Sequence, residues 1–328
     1  MKDYPTRITV ILCTHNRARS LAAALESIVT QTLRQNVGWE ILVVDNNSSD
    51  ETRQVVDDFR GRYPERVRYL FEPQQGISHA RNSGVRNARG DILTFIDDDE
   101  TAEPEWLQNL TANLFGGEWA GAGGRILPIW TCARPSWLSD DSSLTSAPLA
   151  MFDAGSEAGE LTQSPFGANM AFRREVFDLC GGFRTDLGRA GKSLLSGEDS
   201  EFGRRVMAAG RRLRYEPSAL TYHPVEEYRV KREYFLQWWF NKGRSDIRES
   251  RNRSESAQLF GVPLRLIRSL IIETIRWTIE LAPARRFVGK LKVWSCAGQV
   301  FECYHQSIND NRNRTDGTER NANLSPPA

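Results

Sequence analysis

Three consecutive aspartates, Asp97, Asp98 and Asp99, follow the apolar run Ile92–Ile96. The run is short and rich in β-branched and aromatic residues, a pattern that predicts a buried strand. Adjacent carboxylates at a strand end repel one another and lose hydration, so a positive charge is expected beside them. Hard oxygen ligands suit Mg²⁺ or Mn²⁺, which makes a divalent-cation site the first hypothesis. The plain alternative is a solvated acidic turn.

Polar residues follow three earlier apolar runs in the same way. The predicted strands are Ile8–Cys13, Ile41–Val44, Val67–Phe71 and Ile92–Ile96. The polar clusters that follow them are Thr14–Arg17, Asp45–Asn47, Glu72 and Asp97–Asp99. Helical periodicity separates the runs, and strands that alternate with helices predict a parallel sheet with right-handed crossovers. Ligands of such sheets bind beyond the carboxyl ends of the strands, so the sequence predicts one binding site at that edge.

Beyond Glu100 the pattern changes. A helix is predicted from Pro104 and a strand at Gly121–Ile129, and the irregular segment 130–165 is typical of a lid or binding loop. A further strand is predicted at Phe166–Phe172. The remaining features are a Gly197-Glu198-Asp199 motif, a helix at Ser200–Ala209, short strands at Arg212–Tyr215 and Leu220–Tyr222, and His223-Pro224.

Length and composition limit the class of protein. The chain has 328 residues, 40% of them hydrophobic, which is enough for one large domain and a smaller one. Its 43 basic and 42 acidic side chains give a net charge of +1, so the overall charge of the chain does not attract nucleic acid. The 5 cysteines form no C-x-x-C pair, which argues against a disulfide framework and against zinc. Without a signal-peptide core or an apolar run of about 18 residues, the chain is expected to be cytoplasmic and not to span a membrane.

The C-terminal part has a different character. Residues 226–308 are predicted to be mostly helical, and the Asn-, Arg- and Thr-rich tail 309–328 to be disordered. Apolar residues share one helical stripe: Leu264, Ile267, Ile271, Ile275 and Ile279. Two hypotheses stay open. One is a helical appendage that packs on the rest of the chain or in a homodimer. The other is a basic amphipathic surface over 263–294, with Trp277 and Trp294, on the inner face of an anionic membrane.

Five segments together resemble family 2 glycosyltransferases of the GT-A fold. They are Ile8–Arg17, Val43–Asp50, Gln75–Gly84, Phe95–Asp99 and Gly197–Asp199. Each motif is short, but their order and spacing match over residues 7 to about 225. The resemblance implies an α/β, Rossmann-like GT-A fold with a mostly parallel sheet flanked by helices and a C-terminal helical appendage. Residues 1–225 would be the catalytic domain, with a nucleotide-binding half at 7–100 and an acceptor half at 101–225.

The resemblance also implies a reaction. An inverting glycosyltransferase would move a sugar from a nucleoside diphosphate sugar, with UDP favoured, to an acceptor hydroxyl of a surface glycan or lipid-linked glycan. The family's D-x-D pattern matches Asp97–Asp99, with Asp99 as a direct ligand of Mn²⁺ or Mg²⁺. Asp97 would be a second metal ligand, and Asp97 or Asp98 would hold the ribose or a metal-bound water. His223 matches the late histidine that completes the metal site in many relatives.

Further roles follow from the same resemblance. The expected nucleotide-binding residues are Cys13, Thr14, His15, Arg17, Asp45, Arg81, Asp97 and Asp98. The expected acceptor-binding residues are Asn169, Met170 and Glu198. Asp199 is the expected catalytic base, because a carboxylate beside an acceptor hydroxyl can take its proton during attack. Plain alternatives stay open: Arg81 as an exposed helix arginine, and Glu198 and Asp199 as carboxylates that only stabilise a helix N-terminus.

Two other functions compete with this interpretation. Residues Asp97–Thr101 also fit the D-x-D-x-T signature of haloacid dehalogenase-like phosphatases, whose first aspartate is a nucleophile. That family begins its core with this strand, whereas three strand–helix units precede it here. The third interpretation is a non-catalytic nucleotide-sugar-binding module, against which the intact aspartates argue. Gln237-Trp238-Trp239 lacks the arginine–tryptophan pair of the Q-x-x-R-W pattern in processive relatives, so single-sugar transfer is expected.

Overall fold

The computed structural model describes residues 6–33, 37–138, 143–191, 193–250 and 257–322, with side chains as far as residue 309, that of Ser143 excepted. The chain divides into two compact units, Met1–Lys231 (unit 1) and Arg232–Ala328 (unit 2). Unit 1 extends a little beyond residue 225, the predicted end of the catalytic domain. The reason is the 3₁₀ helix Glu227–Val230, whose Arg229 contacts Asp99 within unit 1.

Unit 1 is built on one sheet, to which nine strands contribute among the described residues. The strands are β1 (Thr6–Thr14), β2 (Gly38–Asp45), β3 (Val67–Phe71), β4 (Ile92–Asp97), β5 (Thr101–Ala102), β6 (Gly121–Trp130), β7 (Gly159–Glu160), β8 (Asn169–Arg173) and β9 (Leu213–Val225). Their order is β3-β2-β1-β4-β8-β6-β9-β5, and β7 pairs with β9. The first four strands pair in parallel, β8 runs antiparallel to β4 and β6, and β6 and β9 are parallel. The predicted α/β class with a mostly parallel sheet is therefore confirmed.

Helices cover both faces of this sheet. They are α1 (Ala18–Val29), α2 (Thr52–Arg62), α3 (Ile77–Asn87), α4 (Trp106–Thr111), α5 (Ser143–Ser146), α6 (Arg174–Cys180) and α7 (Glu198–Ala208), with further 3₁₀ helices at Ala112–Leu114 and Ala147–Leu149. Alternation along β1 sends Ile8, Val10 and Leu12 into the core beneath α1 and α2. Ile11 and Cys13 enter the opposite core, with α3, α6 and α7. Because both faces are buried, the strands appear in the sequence as continuous apolar runs.

Two element boundaries near the predicted site differ from expectation. The predicted strand at Phe166–Phe172 begins only at Asn169, so residues 166–168 form a loop. The predicted helix at Ser200 begins at Glu198 instead, which places Glu198 and Asp199 in its first turn. Carboxylates are stabilised there by the orientation of the peptide dipoles, so the early start is electrostatically favourable.

A single strand replaces the two short strands predicted at Arg212–Tyr215 and Leu220–Tyr222. Strand β9 runs from Leu213 to Val225, and its register against β6 shifts between Gly124 and Arg125. The residues between the two predicted segments form a bulge, after which parallel pairing resumes. The local interruption of the hydrophobic pattern therefore marks an irregularity within one strand.

Asn169 links neighbouring strands from the centre of the sheet. Its amide group donates to the backbone oxygens of Arg125 (3.0 Å) and Ala219 (2.8 Å), and its carbonyl oxygen accepts from the indole N–H of Trp106 (2.9 Å). Asn169 and Met170 are both fully buried, because β8 lies between β4 and β6. Both side chains are therefore enclosed within the sheet, and their contact with an acceptor stays a prediction.

We expect Asn169→Ala to destabilise the protein. The substitution leaves the Trp106 indole and two carbonyl groups buried without partners, and the free energy of unfolding should fall by about 3 kcal/mol. Urea unfolding monitored by circular dichroism measures this change. Asn109→Ala is the control, because Asn109 donates to the Ser218 carbonyl at an exposed position and its loss should cost under about 1 kcal/mol. Unchanged stability with a raised KM for an acceptor would instead support the predicted binding role.

Unit 2 contains helices α8 (Arg232–Ser250), α9 (Leu264–Ile279) and α10 (Pro283–Ala322), and a hairpin of β10 (Gln258–Leu259) and β11 (Val262–Pro263). Gly243 of α8 and Gly298 of α10 lie where the two helices approach closely. A Cβ atom at either position would overlap backbone atoms of the other helix. Glu302 of α10 is buried and accepts from Arg244 (2.9 Å) and Arg248 (2.6 Å) of α8. The helix pair is thus joined by close backbone packing and by one buried carboxylate.

Helix α10 continues to Ala322, where composition predicted disorder from residue 309. Extending an existing helix by one residue avoids the cost of nucleation, so a polar segment can remain helical when it follows a packed one. Residues 323–328 of the predicted tail lie outside the described residues. No helix among those described is both long enough and apolar enough to cross a membrane.

Candidate active site

The carboxyl ends of β1, β2 and β4 lie side by side. In the register of the sheet Thr14 pairs with Asp45, and Cys13 pairs with Asp97. The backbone N–H of Glu72, just after β3, donates to the backbone oxygen of Asp45 (2.9 Å). The polar clusters that follow the four strands therefore meet at one edge, as the sequence predicts.

Two arginines and a histidine surround the last aspartate of the triplet. Arg17 donates to Asp99 and, at 3.3 Å, to Asp98. Arg229 is buried and its Nη2 lies 3.2 Å from Asp99, while Nε2 of His223 lies 3.6 Å from the same carboxylate. The positive charge required beside the aspartates is thus present in the chain itself. Arg229 was not found from the sequence, because it lies on a short 3₁₀ helix without a periodic or motif signal.

These contacts give the neighbouring carboxyl groups different pKa values. Burial and then the charge of Asp99 raise the pKa of Asp98. Burial opposes ionisation of Asp99 as well, but the hydrogen bond and charge of His223, together with the arginines, lower the pKa of Asp99. Burial, followed by the charges of Asp97 and Asp99, raises the pKa of Glu100 well above its ordinary value. Among these three carboxyl groups, the charged form is therefore favoured at Asp99 and disfavoured at Asp98 and Glu100.

Arg81 joins the triplet to the acidic start of α7. Its Nη1 donates to Oε1 of Glu198 (2.6 Å), and its Nη2 lies 3.4 Å from Oδ1 of Asp97. The Arg81 side chain is 5% exposed, which excludes an exposed helix arginine. Although burial disfavours the charged guanidinium, the charges of Glu198, Asp97 and Asp199 raise the pKa of Arg81.

Asp199 lies close to the same arginine. Its Oδ2 accepts from the backbone N–H of Gly167 (2.6 Å), and its Oδ1 accepts from the backbone N–H of Ser200 (2.7 Å). Gly167 in turn packs against the guanidinium of Arg81, leaving no room for a Cβ atom. The structure therefore brings Asp199 and Asp97 to one side of the molecule, although about a hundred residues separate them.

Glu198 is held by the same arginine. It is buried, its carboxylate binds Arg81, and burial followed by the charge of Asp199 raises the pKa of Glu198 despite the opposing charge of Arg81. In this arrangement Glu198 positions Arg81, and its predicted contact with an acceptor stays a prediction.

The predicted nucleotide-binding residues at the ends of β1 and β2 fall into two groups. Asp45 is buried and accepts from the Tyr69 hydroxyl (2.8 Å) and from the backbone N–H of Ser48 (2.9 Å). His15 is partly exposed, and its Nε2 lies 3.0 Å from Nε2 of Gln75. Side chains that face the solvent at this edge, such as His15, have free surface for a ligand, whereas Asp45 is held by internal partners.

Cys13 and Thr14 are buried at the end of β1. Burial raises the pKa of the Cys13 thiol to about 12, with the positive charge of Arg81 opposing the shift. Cys13 is therefore a neutral thiol at physiological pH and packs as a small apolar side chain. Any contact of these two residues with a nucleotide would involve the backbone or the outer edge of the side chain.

The predicted metal ligands suit a divalent cation in chemical type, but not in their present arrangement. Asp97, Asp99 and His223 offer carboxylate oxygen and imidazole nitrogen, and Asp97 is 41% exposed. No group of three acidic, histidine or cysteine side chains within the described ranges is arranged to hold a metal ion. Arg17 forms an ion pair with Asp99, so a cation bound at this carboxylate would compete with Arg17.

The family of the chain follows from a sequence match that covers this edge of the sheet. A profile described as Glycosyl transferase family 2 matches residues 9–180, which is more than half of the chain. The chain belongs to glycosyl transferase family 2. The match includes all four strand-end clusters, among them the aspartate triplet, and it argues against the phosphatase interpretation. This glycosyltransferase has its acidic triplet at the edge where open α/β sheets bind ligands.

Two curated relatives match most of this glycosyltransferase. Glucosyl-dolichyl phosphate glucuronosyltransferase of Haloferax volcanii is 29% identical over 240 residues, covering 71% of this chain and 74% of that protein. Succinoglycan biosynthesis protein ExoM of Rhizobium meliloti is 28% identical over 248 residues, covering 75% of each chain.

Solved structures support the GT-A fold. Mannosyltransferase PcManGT from Pyrobaculum calidifontis, in complex with GDP-Man and Mn²⁺, aligns with a TM-score of 0.61 at 19% identity, covering 93% of this chain and 88% of that one. GalNAc-T7 with UDP, GalNAc and Mn²⁺ aligns with a TM-score of 0.57 at 15% identity, covering 94% and 57%. At these identities the likeness shows the fold alone, and it confirms the predicted GT-A architecture.

We expect Gly167→Ala to reduce turnover by about tenfold or more, because the added methyl group displaces the guanidinium of Arg81 from Glu198 and Asp97. Steady-state kinetics of sugar transfer measure the loss. Gly159→Ala is the matched control, because a Cβ atom at Gly159 meets nothing within 4 Å.

A double-mutant cycle with Arg81→Ala tests this route. If Gly167→Ala acts through Arg81, adding it to Arg81→Ala should cost little more. Fully additive losses would show that the loop acts on turnover independently of the guanidinium.

We expect Arg17→Gln to strengthen the binding of Mn²⁺ alone, by about fivefold, because a competing cation leaves Asp98 and Asp99. The same variant should bind a nucleoside diphosphate more weakly when Mn²⁺ is present. Isothermal titration calorimetry measures both affinities. Arg19→Gln, at an exposed position of α1, is the control and should change neither. Unchanged or weaker Mn²⁺ binding by Arg17→Gln would contradict competition at this carboxylate.

Proposed function

We propose that this glycosyltransferase moves one sugar from a nucleoside diphosphate sugar to an acceptor hydroxyl, with inversion at the anomeric carbon and with the help of a divalent cation. The observation that carries the proposal is the position of Asp199. It lies on the same side as Asp97 and is linked to it through Gly167 and Arg81. In this proposal the base and the acidic strand end act on two substrates that are held side by side, as a transfer between bound substrates requires.

The donor site is assigned to the carboxyl edge of β1, β2 and β4. Both solved relatives were crystallised with a nucleotide or nucleotide sugar and Mn²⁺, which supports a similar donor and Mn²⁺ in preference to Mg²⁺ here. We keep UDP as the favoured carrier and GDP as its competitor. Asp97, Asp99 and His223 would hold the cation, which when bound stabilises the charge that develops on the leaving diphosphate.

The side chains of this site have separate tasks. Asp199 is fixed in one orientation by two backbone N–H groups and accepts the proton of the acceptor hydroxyl. The acceptor oxygen forms the new bond to the anomeric carbon as the bond to the diphosphate breaks, and the nucleoside diphosphate leaves with the bonding electrons. One base opposite the leaving group gives inversion. The displaced Arg17, together with Arg229, supplies positive charge towards the diphosphate.

The acceptor is proposed to be a surface glycan or a glycan carried on a lipid. One curated relative is named for transfer to a glucosyl-dolichyl phosphate and another for succinoglycan biosynthesis. Both names describe the growth of a larger glycan, which supports a sugar hydroxyl as the attacking group. The sequence does not carry the arginine–tryptophan pair of processive relatives at Gln237–Trp239, so addition of a single sugar is proposed.

We expect Asp199→Asn to retain donor binding and to lose turnover by about a hundredfold or more, because the amide cannot accept the proton. Asp99→Ala should lose Mn²⁺-dependent donor binding. Thermal shift with UDP- and GDP-sugars, with and without Mn²⁺, measures binding, and release of nucleoside diphosphate measures turnover. A near-full rate in Asp199→Asn would remove the base assignment. Donor binding without any turnover across a panel of glycan acceptors would favour a non-catalytic nucleotide-sugar-binding module.

A further inference from the structure

Helix α9 exposes an apolar strip, which consists of Leu264, Ile271, Ile275 and Ile279. Their exposed fractions are 47%, 54%, 54% and 70%. At helical spacing these four positions lie on one side of the helix. The apolar stripe of a surface helix normally faces the protein core. Four large aliphatic side chains exposed to solvent in one row therefore indicate a surface that binds a partner. Leu281, just beyond the helix, is 88% exposed.

The opposite side of α9 is already packed within unit 2. Leu266 is buried, and Trp277 meets Trp294 of α10 edge to face with ring centroids 6.5 Å apart. The ammonium of Lys290 lies over both rings, 5.9 Å and 5.0 Å from their centroids. The helix is therefore held in place by α10 through one face, and the α9 strip is not needed for that packing.

Exposed arginines accompany the strip. Arg265, Arg268, Arg276, Arg285 and Arg286 are all exposed along α9 and the start of α10. Arg268 lies within the strip itself, four residues after Leu264 and three before Ile271. Among the described residues Arg268, Arg285 and Arg286 form no ion pair. Glu273, the acidic residue within α9, is mostly covered and pairs with Arg276 (2.6 Å).

We propose that the α9 strip docks unit 2 onto the surface of an anionic lipid membrane. The 16-residue helix is about 24 Å long and would lie along the surface, with its isoleucines between the acyl chains. Arginine side chains combine an apolar stem with a charged head, so Arg268 can extend from the strip to a lipid phosphate. The pattern of aliphatic side chains among unpaired cations matches the two layers of such a surface, apolar chains beneath anionic headgroups.

A second copy of the chain is a less suitable occupant. A two-fold interface built on this strip would bring the same five arginines together from both copies, against only Glu273, which already pairs with Arg276, and Glu280 among the described acidic side chains of this segment. An anionic membrane removes this repulsion and buries the isoleucines at the same time. The inference goes beyond the proposed reaction, because it concerns a surface of unit 2 that the transfer chemistry does not use.

The test uses the full chain and sedimentation with lipid vesicles. The unchanged protein should sediment with vesicles of phosphatidylcholine and phosphatidylserine, and much less with phosphatidylcholine alone. Ile275→Glu should lower the partition coefficient by about tenfold or more, because it places a carboxylate in the apolar layer. Arg268→Gln should lower it by about fivefold and weaken its dependence on salt.

Leu179→Glu in unit 1 is the matched control. Leu179 is 56% exposed, close to the exposure of Ile275, and lies on α6 of unit 1. This variant should bind vesicles as the unchanged protein does. Thermal unfolding and turnover on a soluble acceptor should be unchanged in Ile275→Glu, which separates loss of docking from misfolding and from failure of the proposed reaction.

Three results would overturn the proposal. The first is absence of sedimentation of the unchanged protein with anionic vesicles. The second is equal loss of binding in Ile275→Glu and Leu179→Glu. The third is a dimer of the unchanged protein that does not bind vesicles and that becomes a monomer in Ile275→Glu, as measured by light scattering. That result would assign the strip to an interface with a second copy.

Discussion

The site of this glycosyltransferase depends on one buried guanidinium. Arg81 lies between Glu198 and Asp97 and links the first turn of α7 to the end of β4 through two ion pairs. A charge in such a position is tolerated only when carboxylates compensate it, and removal of one partner leaves the other charge buried and unpaired. The three side chains come from segments far apart in the chain. Their mutual compensation therefore ties α7 to α3 and to the end of β4 within unit 1.

The parallel sheet places several carboxylates close together, and the arginines compensate their negative charge. Parallel strands end at the same edge, so their terminal carboxylates accumulate there. Arg17 and Arg229 balance Asp99, and Arg81 balances Asp97 and Glu198. The charges of the site are thus arranged before any ligand is present. Arg81 and Arg229 are buried and can keep their positions when a ligand binds, as preorganised charges in enzymes do, whereas Arg17 would move if a cation took its place at Asp99.

Much of this architecture could be predicted from the sequence, because buried parallel strands are continuous apolar runs. The ends of β1, β2, β3 and β4 lie where those runs stop, within two or three residues. The aspartate triplet and Asp199 were found because short motifs mark them. Arg229 was missed, since nothing local distinguishes an arginine on a short 3₁₀ helix from a solvated one.

Burial in the middle of the sheet was the other feature that local patterns could not show. Asn169 and Met170 lie on a strand whose neighbours, β4 and β6, come from distant parts of the chain. Only this order of strands turns the Asn169 amide into an internal hydrogen-bonding group. The commitment of Glu198 to Arg81 has the same cause, because it depends on a pairing between residues 117 positions apart. Long-range pairing, more than local propensity, decides which of the predicted residues are buried and which partners they contact.

The loop at residues 166–168 has a consequence for attempts to redesign this enzyme. Its single glycine, Gly167, both orients the Asp199 carboxylate through a backbone N–H and leaves space for Arg81. A substitution in this loop would therefore disturb the orientation of Asp199 and the charge balance around Arg81 together. Directed evolution of this enzyme should find more tolerant positions elsewhere in unit 1 than in these three residues.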